Sequence, residues 1–411
     1  MKIGILGAGV TGLSASRLLK EHFEVEVLER KDVCGGIART RVVDGVAYHV
    51  VGGHCFNSKY PEVLDFVFTN VLPRERWNEI KRVSKIRFGT KEYLYPIEFS
   101  VKQIYRDNPV LGLDIAKDFL SAQDDDNYEN LADWFIKKFG KTLAELYFIP
   151  YNQKIWGVHP AKMDPSWVKD KLPIPDKYSF FEALLSDKED NMPHARFFYP
   201  KSNNQNTFLE ALAEGCNIKF GVDVHAIKYS LKNKKWVVNE EYEYDLLINT
   251  LPIDLLPSFI EGVPEKVLNA SKLLKYNSIS NILWQTKPTD KTWTYLPEQE
   301  YPYHRYIHIG SYYRPVSSYS ISETVGDHSY SELVERTHDS FLLEPLSYNH
   351  SEHAYVVFDE NYYSTVPYIL DYLSSIGIYS IGRFGEWQYY NMDICIKRSM
   401  DLTKHIIDYG N

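Results

Sequence analysis

Of the 411 residues of this chain, Gly7-Ala8-Gly9-Val10-Thr11-Gly12 does most to limit what it can fold into. An apolar run, Lys2–Leu6, precedes it and reads as a strand. Helical spacing follows over Thr11–Lys20, and a second apolar strand, Val25–Glu29, ends on an acid. In such a βαβ unit Gly7 permits the tight turn, Gly9 lets the backbone approach a pyrophosphate, and Gly12 allows close helix–strand packing. The helix N-terminus offers unpaired N–H groups and a positive dipole end to phosphates. Glu29 can accept hydrogen bonds from an adenosine ribose, and Arg30 beside it joins the expected cofactor contacts. The continuous apolar strands imply a parallel sheet covered on both faces.

The residues after Glu29 separate two dinucleotides. Cys34-Gly35-Gly36-Ile37-Ala38-Arg39-Thr40 brings a Gly-Gly pair to the cofactor, which simple NAD dehydrogenases have no use for; its bland alternative is a plain β-turn. A strand running into a turn at Asp245–Pro252, and Ile381-Gly382-Arg383-Phe384-Gly385 ahead of a terminal helix, complete a flavin-type pattern. Arg383 suits the pyrophosphate or the flavin's polar edge, with a surface ion pair as its alternative.

Between these motifs, helical spacing over Tyr60–Leu72, Val101–Leu120, Leu131–Phe139 and Thr142–Phe148 predicts a helical insertion, with the acidic run 123–126 as a solvated loop. Strand alternation returns at Ile218–Phe220, Val224–Tyr229, Trp236–Val238 and Leu246–Asn249. The Tyr-, Ser- and Val-rich stretch Ser278–Phe358 reads as an antiparallel sheet. The expected fold is α/β: a discontinuous Rossmann-type FAD-binding domain (1–75, 198–260 and 360–411), a helical domain (100–177), and an antiparallel sheet domain for substrate (78–99 and 270–358).

Composition narrows the partners. Lys plus Arg is 46 against 55 Asp plus Glu, a net charge of −9. That balance gives no footprint for nucleic acid or an anionic membrane, so an anionic substrate needs locally placed cations. The four cysteines form no CxxC pair, which argues for a reducing compartment and against a metal site. With no signal peptide at the N-terminus and no apolar run of about 18–20 residues, the expected location is cytoplasmic. The 32 tyrosines suit sugar and nucleotide pockets, though most serve packing.

Three further segments carry a resemblance: Gly52-Gly53-His54-Cys55-Phe56-Asn57, Tyr151-Asn152-Gln153-Lys154-Ile155-Trp156-Gly157, and Gly382-Arg383 with Tyr389-Tyr390-Asn391-Met392-Asp393. Over nearly its whole length the chain resembles the UDP-galactopyranose mutase family, within the amine oxidase/protoporphyrinogen oxidase-like flavoproteins. The resemblance implies a reduced FAD whose N5 forms an adduct with the sugar of a UDP-sugar. The pyranose and furanose forms then interconvert without net oxidation, in the service of cell-surface polysaccharide synthesis. The alternative is an amine oxidase- or protoporphyrinogen oxidase-like oxidoreductase.

Carried over by position, the resemblance gives His54 and Arg305 catalytic places. It makes Gly35, Gly36, Gly53, Arg383, Asn391 and Met392 flavin contacts and Val224 the adenine contact. Tyr151, Asn152, Trp156, Arg305, Tyr363 and Tyr389 become substrate contacts. The oligomeric state stays open, a homo-oligomer included. Each assignment has a plainer alternative: Trp156 as core packing, His54 as a satisfied structural histidine, Tyr362 and Tyr363 as strand residues of which one points inward. For Arg305, burial without an anionic partner would be costly, which favours a ligand role. Two positions depart from the family pattern. Asn57 stands where a second histidine is usual, and Pro175 where the loop arginine is expected, with Lys177 or Arg196 as substitutes.

Overall fold

The computed structural model describes residues 1–122, 127–165, 168, 172, 176–185 and 196–409. The acidic run 123–126 and Pro175 therefore lie outside the described residues.

Five parallel strands form the sheet that the glycine motif foretells. Their order is Ile378–Ser380, Leu246–Asn249, Lys2–Leu6, Glu24–Glu29 and Ile218–Phe220. The start, middle and end of the chain thus build one sheet. Its central strand is buried almost throughout, as a parallel strand covered on both faces must be. The helix Val10–Leu19 packs on it beside the terminal helix Met392–Tyr409, and Ser399 Oγ donates to the Thr11 carbonyl at 2.9 Å. The approach of Val10–Leu19 to the strand and turn before it depends on Gly12, where a Cβ would lie 2.0 Å from the Gly7 carbonyl oxygen.

A second, seven-stranded sheet runs Leu342–Val356, Tyr276–Thr286, Tyr319–Val325, Arg305–Ile307, Trp293–Tyr295, Ser84–Phe88, Lys91–Leu94. It is antiparallel as expected except at one seam, where Trp293–Tyr295 runs parallel to Ser84–Ile86. That pair joins chain segments about 200 residues apart, so no hairpin dictates its direction. Helices close one end of this sheet. The single helix expected over Val101–Leu120 is two, Val101–Asp107 and Pro109–Ser121. Pro109 has no N–H to continue the first helix, and the Asn108 side chain caps the second by accepting from Leu111 N at 3.2 Å. The helical insertion continues through Leu131–Phe139 and Ile149–Trp156.

Two local expectations change. The strand placed at Val224–Tyr229 starts at Ile227, with Val224 in the preceding loop. Tyr362 and Tyr363, considered above as strand residues, open the helix Tyr362–Ser375. One apolar cluster runs from Leu28 through Trp134 and Phe139 to Leu283, so the parallel sheet, the helices and the large sheet share a core. Among the described residues no helix is long and apolar enough to cross a membrane, and no cluster of His, Cys, Asp or Glu could hold a metal ion.

Candidate functional site

The glycine turn and Glu29 make a backbone cradle. Gly7 N donates to Leu28 O at 2.8 Å with Gly7 at φ +98°, a conformation glycine adopts freely. Ala8 N and Lys31 N donate to the two oxygens of the Glu29 carboxylate at 2.9 and 3.0 Å, which fixes the acid at the sheet's edge. Gly35 N then donates to Ala8 O at 2.7 Å and folds the Gly-Gly turn over the motif. A Cβ on Gly36 would stand 3.2 Å from Gly9 Cα, whereas a Cβ on Gly9 would meet nothing within 4 Å. The backbone therefore closes on one side of Gly9 and leaves the other open, the shape a pyrophosphate needs.

Around this cradle the other expected cofactor residues take different positions. Val224 is buried in the loop whose Val222 N donates to Glu29 O at 2.9 Å. Arg30 is exposed. Asn391 closes the first turn of the terminal helix, its carbonyl accepting from Cys395 N at 3.1 Å, and Met392 is buried against Gln205. Gly53 lies against Trp293 and Ile307, which brings His54 to the large sheet.

Arg383 is no surface ion pair. Its Nη1 and Nη2 donate to the carbonyls of Tyr390 (3.1 Å) and Ala354 (2.7 Å), its buried Nε has no partner, and its plane lies 4.6 Å from the Tyr389 ring centre. Among the described residues no carboxylate pairs with it, so its charge is held by carbonyls and rings alone. His54 Nε2 is likewise buried without a partner. Burial pushes the His54 pKa well below its ordinary value, with neighbouring His49, Arg383 and Arg305 adding to the effect, so the ring is neutral. An open cradle over Gly9 with orphaned polar atoms on Arg383 and His54 fits a bound dinucleotide carrying an anionic, hydrogen-bonding ring.

Beside it lies a cavity of about 220 Å³ between the helices and the large sheet. Tyr151, Asn152, Trp156, Arg305 and Tyr389, five of the expected substrate residues, line it together. Tyr363 does not; it is 42% exposed on the helix that Tyr362 opens, while Tyr362 turns inward to donate to Trp387 O. Asn152 and Trp156 are partly committed to each other, since Trp156 Nε1 donates to Asn152 Oδ1 at 3.1 Å within one helix turn.

Arg305 corrects an expectation. It is not buried without an anionic partner: its Nε donates to Glu323 Oε2 at 2.5 Å, and Glu323 is fully buried. The two residues face each other across adjacent strands. Glu323 also accepts from Gly52 N at 2.5 Å, tying the His54 segment to the same pair. Arg305 Nη2 donates to Tyr355 OH at 2.5 Å, and among the described residues Nη1 has no hydrogen-bond partner. Arg305 lines the cavity, and an uncompensated charge no longer argues for a ligand role. Tyr355 stacks on Tyr389 at 5.7 Å, and Arg383 lies over both rings. The cofactor-side arginine and the cavity-side arginine therefore meet at one tyrosine pair.

Neither proposed substitute for the loop arginine reaches the cavity. Lys177 Nζ donates to Leu120 O, and Arg196 pairs with Glu79 at 3.3 Å on the surface. Asn57 serves its own turn, accepting from Ser58 N and donating to Arg196 O. Sequence reasoning missed Tyr95, Glu98, Tyr147, Tyr295 and Tyr355 in the cavity wall, and Glu323 behind it. The abundance of tyrosine was the only signal for most of them; the Arg305–Glu323 pairing depends on strand register.

Comparison with known proteins bears on the fold that carries these residues. A family model described as an NAD(P)-binding Rossmann-like domain matches residues 5–68. The chain is 23% identical over 270 residues to a probable UDP-galactopyranose mutase of Klebsiella pneumoniae, covering 63% of this chain and 62% of that protein. It is 24% identical over 231 residues to a dTDP-fucopyranose mutase of Escherichia coli, covering 51% and 59%. The matched stretches thus span about three fifths of each relative's length. A crystal structure of reduced UDP-galactopyranose mutase superposes with a TM-score of 0.86 at 23% identity, over 99% of this chain and 94% of that one. The chain has the UDP-galactopyranose mutase fold.

Proposed function

We propose that this chain is an FAD-dependent nucleotide-sugar mutase, interconverting the pyranose and furanose forms of a UDP-sugar-like substrate for cell-surface polysaccharide synthesis. The observation that carries the reading is the Tyr355–Tyr389 pair, which links Arg305 of the cavity to Arg383 in the Gly382-Arg383 turn. An oxidase acting on a neutral apolar substrate has no need of cations and phenol hydroxyls at that junction.

The cradle over Gly9, Glu29, Gly35-Gly36 and Arg383 would hold FAD. When bound in its reduced form, FAD supplies an electron-rich N5 able to attack an anomeric carbon, chemistry that no side chain offers. The protein's own part is to hold the leaving diphosphate. Arg305 Nη1 presents a fixed N–H edge, already oriented by Glu323, and the hydroxyls of Tyr151, Tyr355 and Tyr389 surround it. Because burial keeps the Tyr151 and Tyr355 phenols protonated, each remains a hydrogen-bond donor at neutral pH. His54, neutral and with Nε2 unpartnered, offers a hydrogen-bonding site without adding charge.

The experiment is incubation with UDP-galactose under dithionite, with products separated by HPLC. Turnover is expected on reduction and should continue for many cycles without consuming reductant. Isomerisation by the oxidised protein, or one acceptor consumed per product, would overturn the mutase reading in favour of an oxidase.

A further inference from the structure

The parallel seam of the large sheet places a cation behind the cavity wall. Arg82 stands in the two-residue link between Trp77–Lys81 and Ser84–Phe88. Val83 N donates to Thr292 Oγ1 at 2.9 Å and Thr292 N donates to Val83 O at 2.7 Å, which pins the link to the start of Trp293–Tyr295. The guanidinium lies 5.5 Å from the Tyr95 ring centre and 5.0 Å from that of Trp293. Its Nε donates to Ser84 Oγ at 3.0 Å and its Nη2 to Tyr295 OH at 2.9 Å. Among the described residues no carboxylate pairs with it. Cys55 beside it is no substitute, because burial pushes that thiol up to about 12 and keeps it neutral. Arg82 is therefore a half-buried charge met by rings and hydroxyls alone.

Tyr295 carries the effect of that charge into the cavity. It lines the cavity, and its Cα faces that of Arg305 across the adjacent strand. Its oxygen receives the Arg82 N–H, so its own proton must go to another acceptor, and among the described residues it has none. A hydroxyl polarised by a guanidinium is a stronger donor than a free one. The complement of such a donor, beside Arg305, is an oxyanion. We propose that Arg82 is a positioning residue for the substrate's diphosphate, fixing the Tyr295 hydroxyl as a donor to a phosphate oxygen. It takes over part of the cationic role that Lys177 and Arg196, both engaged away from the cavity, do not fill. If Arg82 only packed the wall through its contacts with Tyr95 and Trp293, its loss would act on every ligand alike; in the phosphate role it acts on phosphorylated ones. The inference rests on the nucleotide-sugar reading and adds two residues to its phosphate site.

The test is calorimetry of UDP and of uridine with the flavin-loaded wild type, Arg82→Gln, Arg82→Lys, Tyr295→Phe and the double variant Arg82→Gln/Tyr295→Phe. Tyr295→Phe and Arg82→Gln should each weaken UDP binding about tenfold, the loss of one hydrogen bond to a charged group. The double variant should be no weaker than either, because Arg82 acts through the hydroxyl that Tyr295→Phe already lacks. Arg82→Lys, which keeps a charged donor, should bind UDP nearly as wild type does. Uridine, which has no phosphate, should bind all of these proteins equally. Loss of uridine affinity matching that of UDP, additive losses in the double variant, or Arg82→Lys as weak as Arg82→Gln overturns the role of Arg82 while leaving the mutase reading intact. Should Arg82→Gln not fold, Tyr295→Phe still decides: UDP affinity equal to that of wild type overturns the proposal. A flavin-loaded wild type that binds no UDP at all overturns both.

Discussion

The cofactor cradle is shaped by backbone, and the tyrosine-walled cavity by side chains. In the cradle, the decisive atoms are N–H groups, carbonyls and missing Cβ atoms within residues 7–36, joined to one carboxylate at Glu29. In the cavity, Tyr95, Glu98, Tyr151, Arg305, Tyr355 and Tyr389 come from five separate stretches of chain and meet only through strand register and helix packing. A backbone-shaped site should fail through steric intrusion. A side-chain site should fail through lost partners and changed charge.

The largest expected effect separates the two by pH. His49, His304 and His308 are buried around the large sheet, with half-buried His54 beside His49, and desolvation pushes each pKa down, to about 3 for His49 and His308. In the unfolded chain these rings titrate near 6.5, so below that pH the unfolded state binds protons that the folded state refuses. Their contribution to stability is full above about pH 6.5 and lost as pH falls toward 3, by up to about 1.4 kcal/mol per histidine per unit. Melting curves should drop steeply between pH 7 and 5, with amide exchange rising first in the seven-stranded sheet. An unchanged melting temperature over that range would mean these rings are not buried in solution.

Arg305→Ala comes next. It leaves Glu323 buried and charged without its partner and should destabilise the fold by about 3–5 kcal/mol. The double variant Arg305→Met/Glu323→Gln should recover most of this in urea titrations while still losing UDP affinity. Recovery of both would make Arg305 purely structural.

In the cradle, Gly12→Ala forces a methyl into the Gly7 carbonyl and should cost about 3 kcal/mol together with flavin binding. Gly9→Ala meets no protein atom, so its stability should stay within about 0.5 kcal/mol of wild type while the purified protein loses its yellow flavin absorbance. A fully flavinated Gly9→Ala protein would show that the open side of Gly9 is not where the cofactor lies. Glu29→Ala should weaken FAD binding by about 1–3 kcal/mol, read by flavin titration of the apoprotein, because the acid holds Ala8 N and Lys31 N and is the acceptor proposed for the cofactor's ribose.

The smallest effect sharpens the cavity's membership. Tyr389→Phe should slow turnover about tenfold by removing one hydroxyl from the diphosphate, whereas Tyr363→Phe, on an exposed position outside the cavity, should leave it unchanged. Equal slowing by both would place the phosphate elsewhere.

The same contrast explains what could be read in advance. Gly7, Gly9, Gly12 and Glu29 announce themselves because a βαβ turn needs them at fixed offsets within one supersecondary unit. Arg383 and Trp156 are visible through motif resemblance. Tyr355 and Glu98 have no motif, and Tyr363, placed by resemblance, lies exposed outside the cavity on the helix that opens at Tyr362.

By itself the sequence determined the parallel sheet, the flavin-type cradle, the helical insertion and the large sheet, because each follows from local periodicity or glycine geometry. Only the tertiary structure decided the charge state of the site. It set Glu323 opposite Arg305 across two strands, gave Arg383 carbonyls in place of an acid, and placed Glu98 in the aromatic wall of the cavity. Those outcomes depend on register and burial between residues far apart in the chain. Electrostatic free energy depends on separations in space and on exclusion of water, and neither is written in the spacing of residues along the chain.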